Sequence, residues 1–306
     1  MKMIKRGFIL SLGWMGISQM LWGSGAGTTA GDFLTLGSGS RLAALGGAGI
    51  AVVDDSTSLY WNPGAMTSVP KQSAELMHAS YLESTSYNEG SYVRNFGRMG
   101  AFGVNLNYFS SGDIAQKDIG GNDNGTFSPN DMSLSAGYAK VLGPVSVGGS
   151  AKYIKTTILN SASTLAVDLG VQSKPLMRDR LRLAATATNL LGSLKYDTEK
   201  EDLPQEFRVG AGYCATSRVN LVLDGAFPKS GDAYFGGGVE YKQTWGENWA
   251  LAGRAGYSTR TAGDVSGMTG VTFGLGISRG SLGFDYALVP QGDLGMSHWM
   301  TLVYRE

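Results

Sequence analysis

"VTFGLGISRGSLGFDYAL" occupies residues 271–288. Val271, Phe273, Leu275 and Ile277 alternate with Thr272, Gly274, Gly276 and Ser278; after Arg279-Gly280-Ser281, Leu282, Phe284, Tyr286 and Leu288 alternate with Gly283, Asp285 and Ala287. Side chains project to opposite faces along a strand, so each run has one apolar face, and the short glycine-containing connector predicts a hairpin. Two architectures use such hairpins, a soluble sandwich whose apolar face is the core and a membrane barrel whose apolar face meets lipid. The second face decides. A soluble sheet covers its water side with Lys, Glu, Thr and Arg, whereas here that side is Gly, Ala and Ser with an isolated charge, which suits a confined polar lumen.

The pattern recurs along the chain. Phe102, Val104, Leu106 and Tyr108 oppose Gly103, Asn105 and Asn107; Leu165, Val167, Leu169 and Val171 oppose Ala166, Asp168 and Gly170; Phe207, Val209 and Tyr213 oppose Arg208, Gly210 and Gly212. Counting segments between turn signals from Gln72 onward gives about 14 strands, an even number as such barrels require. The stretch 111–131 has room for an extra hairpin, but its density in Gly, Asn and Asp reads more readily as a loop. The expected fold is therefore all-β, a transmembrane antiparallel β-barrel, with residues 71–306 as its wall and no second domain.

Composition narrows the function. Only 16% of the 306 residues are charged, few for a water-soluble surface. Net charge is zero and no run of Lys or Arg occurs, which removes nucleic acid as a partner. The single cysteine, Cys214, can form neither an internal disulfide nor a metal cage. Lys2, Lys5 and Arg6 precede an apolar run from Gly7 to Trp22 and then small residues, the order of a secretory signal peptide over residues 1–26. No later apolar run reaches the length of a spanning helix.

The segment "GDFLTLGSGSRLAALGGAGIAVVDDSTSLYWNPGAM", residues 31–66, resembles the opening of the PorV/PorQ family of outer-membrane proteins, related to FadL-type barrels. Phe33, Leu34, Arg41, Gly46, Gly47, Ala48, Asp54, Asp55, Tyr60, Trp61, Asn62 and Pro63 match in order, and "LGFDYALVPQGDLGMSHWMTLVYRE" is similar to the family's ending, with His298 in register. Pro63-Gly64-Ala65 departs from the family's Pro-Ala-Gly, and Trp299 replaces an Arg. The resemblance implies an N-terminal hatch, residues 27–70, folded into the lumen, turns shorter on the periplasmic side than outside, and an outer-membrane location in the lipid bilayer. FadL-type members carry hydrophobic molecules; a PorV-type member serves type IX secretion by docking cargo. The implied partner is thus a hydrophobic or amphipathic small molecule or, alternatively, a secretion-system protein. No cofactor or metal is implied, and no enzymatic activity.

Candidate site residues follow from the alternation. Lys152, Asp168, Arg208, Asp224, Glu240, Arg254 and Asp285 are placed on the lumen face, joined by Arg41, Asp54 and Asp55 from the hatch. Confined charges need partners, so Arg41 is expected to meet a wall carboxylate, and Asp54 and Asp55 to meet Arg208 or Arg254. Asp54, Asp55 and Ser56 also stand where they could cap a short helix ending at Asn62-Pro63. "LGGAGIAVVDD" lacks the GxGxxG spacing and the βαβ surroundings of a dinucleotide loop. His78 and Ser80, two apart, share one face of a strand, a spacing that outer-membrane lipid hydrolases resemble, with Glu83 or a neighbouring strand as the residue orienting the imidazole and Glu75 on the opposite face. His298 has no metal-ligand company.

Overall fold

The computed structural model describes residues 29–81, 84–196, 199–246, 248–262 and 266–306. The expected signal peptide, residues 27–28 and Glu83 lie outside the described residues. The wall begins with β1 (Gln72–Ser80), β2 (Ser86–Asn95) and β3 (Ala101–Ser110), followed by a separate hairpin of β4 (Ile114–Lys117) and β5 (Asp123–Phe127). It resumes with β6 (Asn130–Leu142), β7 (Val145–Thr157), β8 (Ser161–Ser173) and β9 (Leu181–Leu190), then a second separate hairpin of β10 (Ser193–Tyr196) and β11 (Glu199–Asp202). It ends with β12 (Glu206–Cys214), β13 (Val219–Pro228), β14 (Tyr234–Trp245), β15 (Trp249–Ser258), β16 (Val271–Arg279), β17 (Leu282–Pro290) and β18 (Met296–Arg305). Fourteen of these strands close into one antiparallel barrel, because β18 returns to pair with β1, Ser73 opposite Arg305 and Ser80 opposite His298. Closure removes both sheet edges, the condition for strands in lipid.

The stretch 111–131, read as a loop, carries the β4–β5 hairpin outside the wall. One end of the barrel has short connections, such as 143–144 and 280–281, and holds the start of β1 and the chain's last residue; the other has the long loops with their hairpins.

The alternation maps onto the two faces. Leu275 is 69% exposed while Gly274 and Gly276 beside it are buried, and Phe102 is 52% exposed beside buried Ala101 and Gly103. An outer surface of this kind, apolar strand after strand, meets lipid and not water.

The core lies between wall and N-terminal segment, not between two sheets. Phe33 and Leu34 pack with Ile154, Leu194 and Leu203 at the long-loop end. Leu59 and Met66 pack with Val93, Ala101 and Ala139 at the short-turn end. Residues 30–69 thus run the length of the inner wall before β1 begins. Their helices are short: single α-turns at Ser40–Ala43 and Ser58–Trp61, and 3₁₀ stretches at Asp32–Thr35 and Pro63–Ser68.

Candidate functional site

The small residues of the lumen face are where the N-terminal backbone touches the wall. A Cβ on Gly256 would lie 2.2 Å from the amide nitrogen of Gly46, and one on Gly236 2.6 Å from the Gly46 carbonyl oxygen. Gly46 itself has φ of +71° and faces the Tyr257 carbonyl, so both conformation and space exclude a side chain there.

The "YWNPG" turn is seated in the same way against β7 and β8. Asn62 Nδ2 donates to the carbonyls of Ile50 (2.9 Å) and Val171 (3.3 Å), while its Oδ1 accepts from the Gly64 amide at 3.0 Å. Added Cβ atoms on Gly148 and Gly170 would meet Pro63 and Asn62 at 2.5 and 2.2 Å, and one on Gly64 would meet the Gly170 carbonyl at 2.7 Å. The Gly64-Ala65 order therefore puts the residue without a Cβ at the point of closest approach. Tyr60 and Trp61 fold back toward the segment's own start: Tyr60 Oη donates to the Leu34 carbonyl at 2.7 Å, and Trp61 Nε1 to that of Ser38 at 2.7 Å.

All seven wall charges face inward, and they form three separate groups. In the first, Glu240 accepts from Arg41 Nε (3.0 Å) and Arg254 Nε (2.8 Å), and Arg254 reaches on to Asp285 at 2.6 Å. Arg41 also holds Asp54 at 2.6 Å, and Arg305 on β18 holds Asp55 at 3.0 Å. Desolvation opposes the charge on Arg41, but Glu240, Asp54 and Asp55 outweigh it and hold the guanidinium firmly protonated. For Asp54 what desolvation there is raises the carboxyl, and the attraction of Arg41 and Arg305 overcomes it, leaving a net downward shift. In the second group, Arg208 binds Glu206 at 2.8 Å, donates to the Gly47 carbonyl at 2.8 Å and lies over the Trp61 ring at 5.3 Å, while Asp224 accepts from the amides of Gly49 (2.8 Å) and Ile50 (3.2 Å). The third, Lys152 with Asp168 at 3.0 Å and Asn189 at 2.8 Å, is closed within β7–β9.

Two expectations are corrected. Asp54 and Asp55 pair with Arg41 and Arg305 and not with Arg208 or Arg254, because Arg208 is taken by Glu206 on its own strand and Arg254 by Glu240 on the adjacent β14 and Asp285 on β17, two strands away. The helix Ser58–Trp61 has no side-chain cap; Asp55 turns to the Thr57 amide (3.1 Å) one step earlier. Sequence reasoning also missed Glu75 and Glu89, both buried and inward. Glu89 accepts from Ser38 Oγ, the Gly39 amide (3.2 Å) and Asn105 Nδ2 (2.7 Å).

Residues 40–61 separate two cavities. The one on the short-turn side, about 250 Å³, is polar and bordered by Arg41, Asp54, Glu240 and Lys242. That on the long-loop side, about 190 Å³, is lined by Trp61, Trp299, Tyr81, Tyr234, Leu36 and Val289, with Arg208 and Arg260 at its polar margin. Trp299 points into this space and packs edge-on to Tyr87 at 6.1 Å. His78 and Ser80 face outward instead; His78 Nδ1 lies 2.8 Å from Asn88 Oδ1 on β2, and His298, also outward, 2.6 Å from Tyr286 Oη. Among the described residues no cluster of three or more His, Cys, Asp or Glu is arranged to hold a metal.

The family described as type IX secretion system protein PorV matches residues 24–218. No curated protein matches the chain. Among solved structures, the toluene transporter TbuX of Ralstonia pickettii has a TM-score of 0.57 at 14% identity, covering 88% of this chain and 98% of that one. The toluene transporter TodX of Pseudomonas putida gives 0.57 at 12%, over 87% and 96%. A FadL homologue of Pseudomonas aeruginosa gives 0.57 at 11%, over 88% and 98%. At these identities the likeness is one of fold.

Proposed function

The chain belongs to the PorV family, and on that premise we propose that it is an outer-membrane barrel that binds or conducts hydrophobic or amphipathic molecules, with residues 27–70 acting as a hatch. The observation that carries this reading is the aromatic-lined cavity of about 190 Å³ between Trp61 and Trp299. Small-molecule sites are concave and largely apolar with a few placed polar groups, and an apolar cavity of about 150 Å³ is enough for benzene. Arg208 and Arg260 supply the polar margin. The toluene transporters and the FadL homologue, which share the fold, are consistent with such cargo. Shifting the Arg41–Glu240 pair would open the way from this cavity to the polar one below.

Mass spectrometry of the gently purified barrel tests the reading. A bound hydrophobic small molecule is expected, displaced or weakened in Trp299→Ala; a barrel that carries none, and whose tryptophan fluorescence does not respond to toluene or a fatty acid, would sink it. A second reading, an accessory of protein secretion, is favoured by the family's description and by the hairpins β4–β5 and β10–β11 on the long loops. It predicts a stoichiometric co-purifying protein lost when those hairpins are shortened. We infer no enzymatic role. The row of His78 and Ser80 lies on the outer face, and Ser80→Ala is expected to leave any lipid-hydrolysing activity of the preparation unchanged.

A further inference from the structure

The chain's zero net charge conceals an uneven distribution. Three neighbouring connections at the short-turn end, residues 94–100, 140–145 and 174–180, carry Arg94, Arg98, Lys140, Lys174, Arg178 and Arg180 against one carboxylate, Asp179. Among the described residues none of these six cations has a carboxylate partner; the ion pairs use other residues. At the opposite end, the loop 111–129 reverses the balance, with Asp113, Asp118 and Asp123 against Lys117.

The cations are set among aromatic and apolar side chains on the outside of the wall. Arg94, Phe102 and Tyr138 stand in register across β2, β3 and β6, all on the outward row, with Lys140 two residues beyond Tyr138. The Arg94 guanidinium lies 5.2 Å from the Phe96 ring centre, Phe96 is 6.0 Å from Phe102, and Phe102 is 4.7 Å from Tyr138. Further along, Met177, Arg178 and Asp179 have φ of +49°, +60° and +66°, three successive non-glycine residues in the left-handed region, where each costs about 1–2 kcal/mol. That turn leaves Met177 70% exposed between the cations.

We propose that this arc is a docking surface for the headgroups of anionic phospholipid in the leaflet at the short-turn end, with Arg94, Arg98 and Lys140 taking the phosphate and Phe102 and Tyr138 lying along the acyl chains. Unpaired guanidinium and ammonium groups beside apolar surface match a phosphate joined to hydrocarbon. A lipid fits better than an acidic protein because Arg94 and Lys140 lie in the same outward row as the lipid-facing residues, where a protein would have to displace lipid to reach them.

The test places the full chain in nanodiscs of phosphatidylcholine with and without phosphatidylglycerol and identifies by native mass spectrometry the lipids that stay bound on release. Phosphatidylglycerol is expected to be enriched over its bulk share. Enrichment should fall on the order of tenfold or more in the triple variant Arg94→Gln/Arg98→Gln/Lys140→Gln, since each basic residue near an anionic surface contributes roughly a fivefold preference. Lys155→Gln, an outward cation at the other end of β7, should leave it unchanged. If the triple variant loses its heat-modifiable gel shift, Arg98→Gln alone, in an exposed turn, is read in its place and should lower enrichment by about fivefold. No enrichment in the wild type, or equal enrichment in the variants, overturns the proposal. So does a co-purifying acidic protein that disappears in the variant while no lipid preference exists.

Discussion

Two arcs of the same inner wall grip the N-terminal segment by different means. On β14–β16 the segment lies directly on wall glycines: Gly256 and Gly236 meet the Gly46 backbone and Gly274 meets the Ala44 methyl, at 2.2 to 2.6 Å from where a Cβ would stand. On β1–β3 it is made by polar side chains, Glu89 with Ser38 and Gly39, and Ser91 Oγ donating to Ser56 Oγ at 2.8 Å. The first contact exists because atoms are missing, so one added methyl breaks it. The second is built from groups that each satisfy a buried partner, so it weakens stepwise.

Glu240 should give the largest effect, because on the glycine arc it is the acceptor shared by Arg41 and Arg254. Glu240→Ala removes the acceptor that two buried guanidinium groups share, leaving Arg41 to Asp54 and Asp55 and Arg254 to Asp285, and should cost about 3 kcal/mol, read by equilibrium unfolding from vesicles. Gly256→Ala comes next: its Cβ collides with backbone that cannot rotate away, and a loss of about 1–3 kcal/mol is expected, with release of residues 42–53 to proteolysis or exchange. Glu89→Gln on the polar arc keeps the shape and the oxygen that accepts from Ser38 and Asn105 but turns an NH2 toward the Gly39 amide, so a loss of about 1 kcal/mol is expected with the segment still seated. An unseated segment in Glu89→Gln and a seated one in Gly256→Ala would reverse the comparison.

The smallest effect is that of pH. Asp54 has a net downward shift in the folded barrel, so its contribution is fully present above the unfolded aspartate value near 3.9 and is lost as pH falls through the lower folded value. The Asp54 contribution to segment protection should therefore be flat from neutral pH down to about 4 and decline only below it, read as the difference between the wild type and Asp54→Asn.

The fourteen wall strands were legible because lipid on one side and a lumen on the other impose a two-residue period that little else in the chain obscures. Strands 271–279 and 282–290 show it plainly. β1 and β2 do not. In "QSAELMHAS" the inward Met77 and Ala79 pack with Tyr87 and Trp299, while His78 and Ser80 face out, so apolarity no longer marks the outer face, and Glu75 and Glu89 escaped notice as lumen charges. The placement of Arg41 against a wall carboxylate followed from the cost of an unpaired charge. Which carboxylate, and the partners of Asp54 and Asp55, depend on how far along the lumen each segment residue sits. Alternation fixes the face a side chain takes but not the height of a separate strand of backbone. The glycines of the lumen face were read as a polar lining, and only their closeness to Gly46, Pro63 and Gly64 shows them as seats.

Hydrogen–deuterium exchange of the membrane-embedded barrel, followed across residues 40–61, tests the central claim most directly. If the segment is seated as described, amides of Gly46, Gly49 and Ile50, bound to Thr272 and Asp224, exchange as slowly as those of β14–β16. Exchange at the rate of a free peptide, with the wall strands still protected, would contradict it.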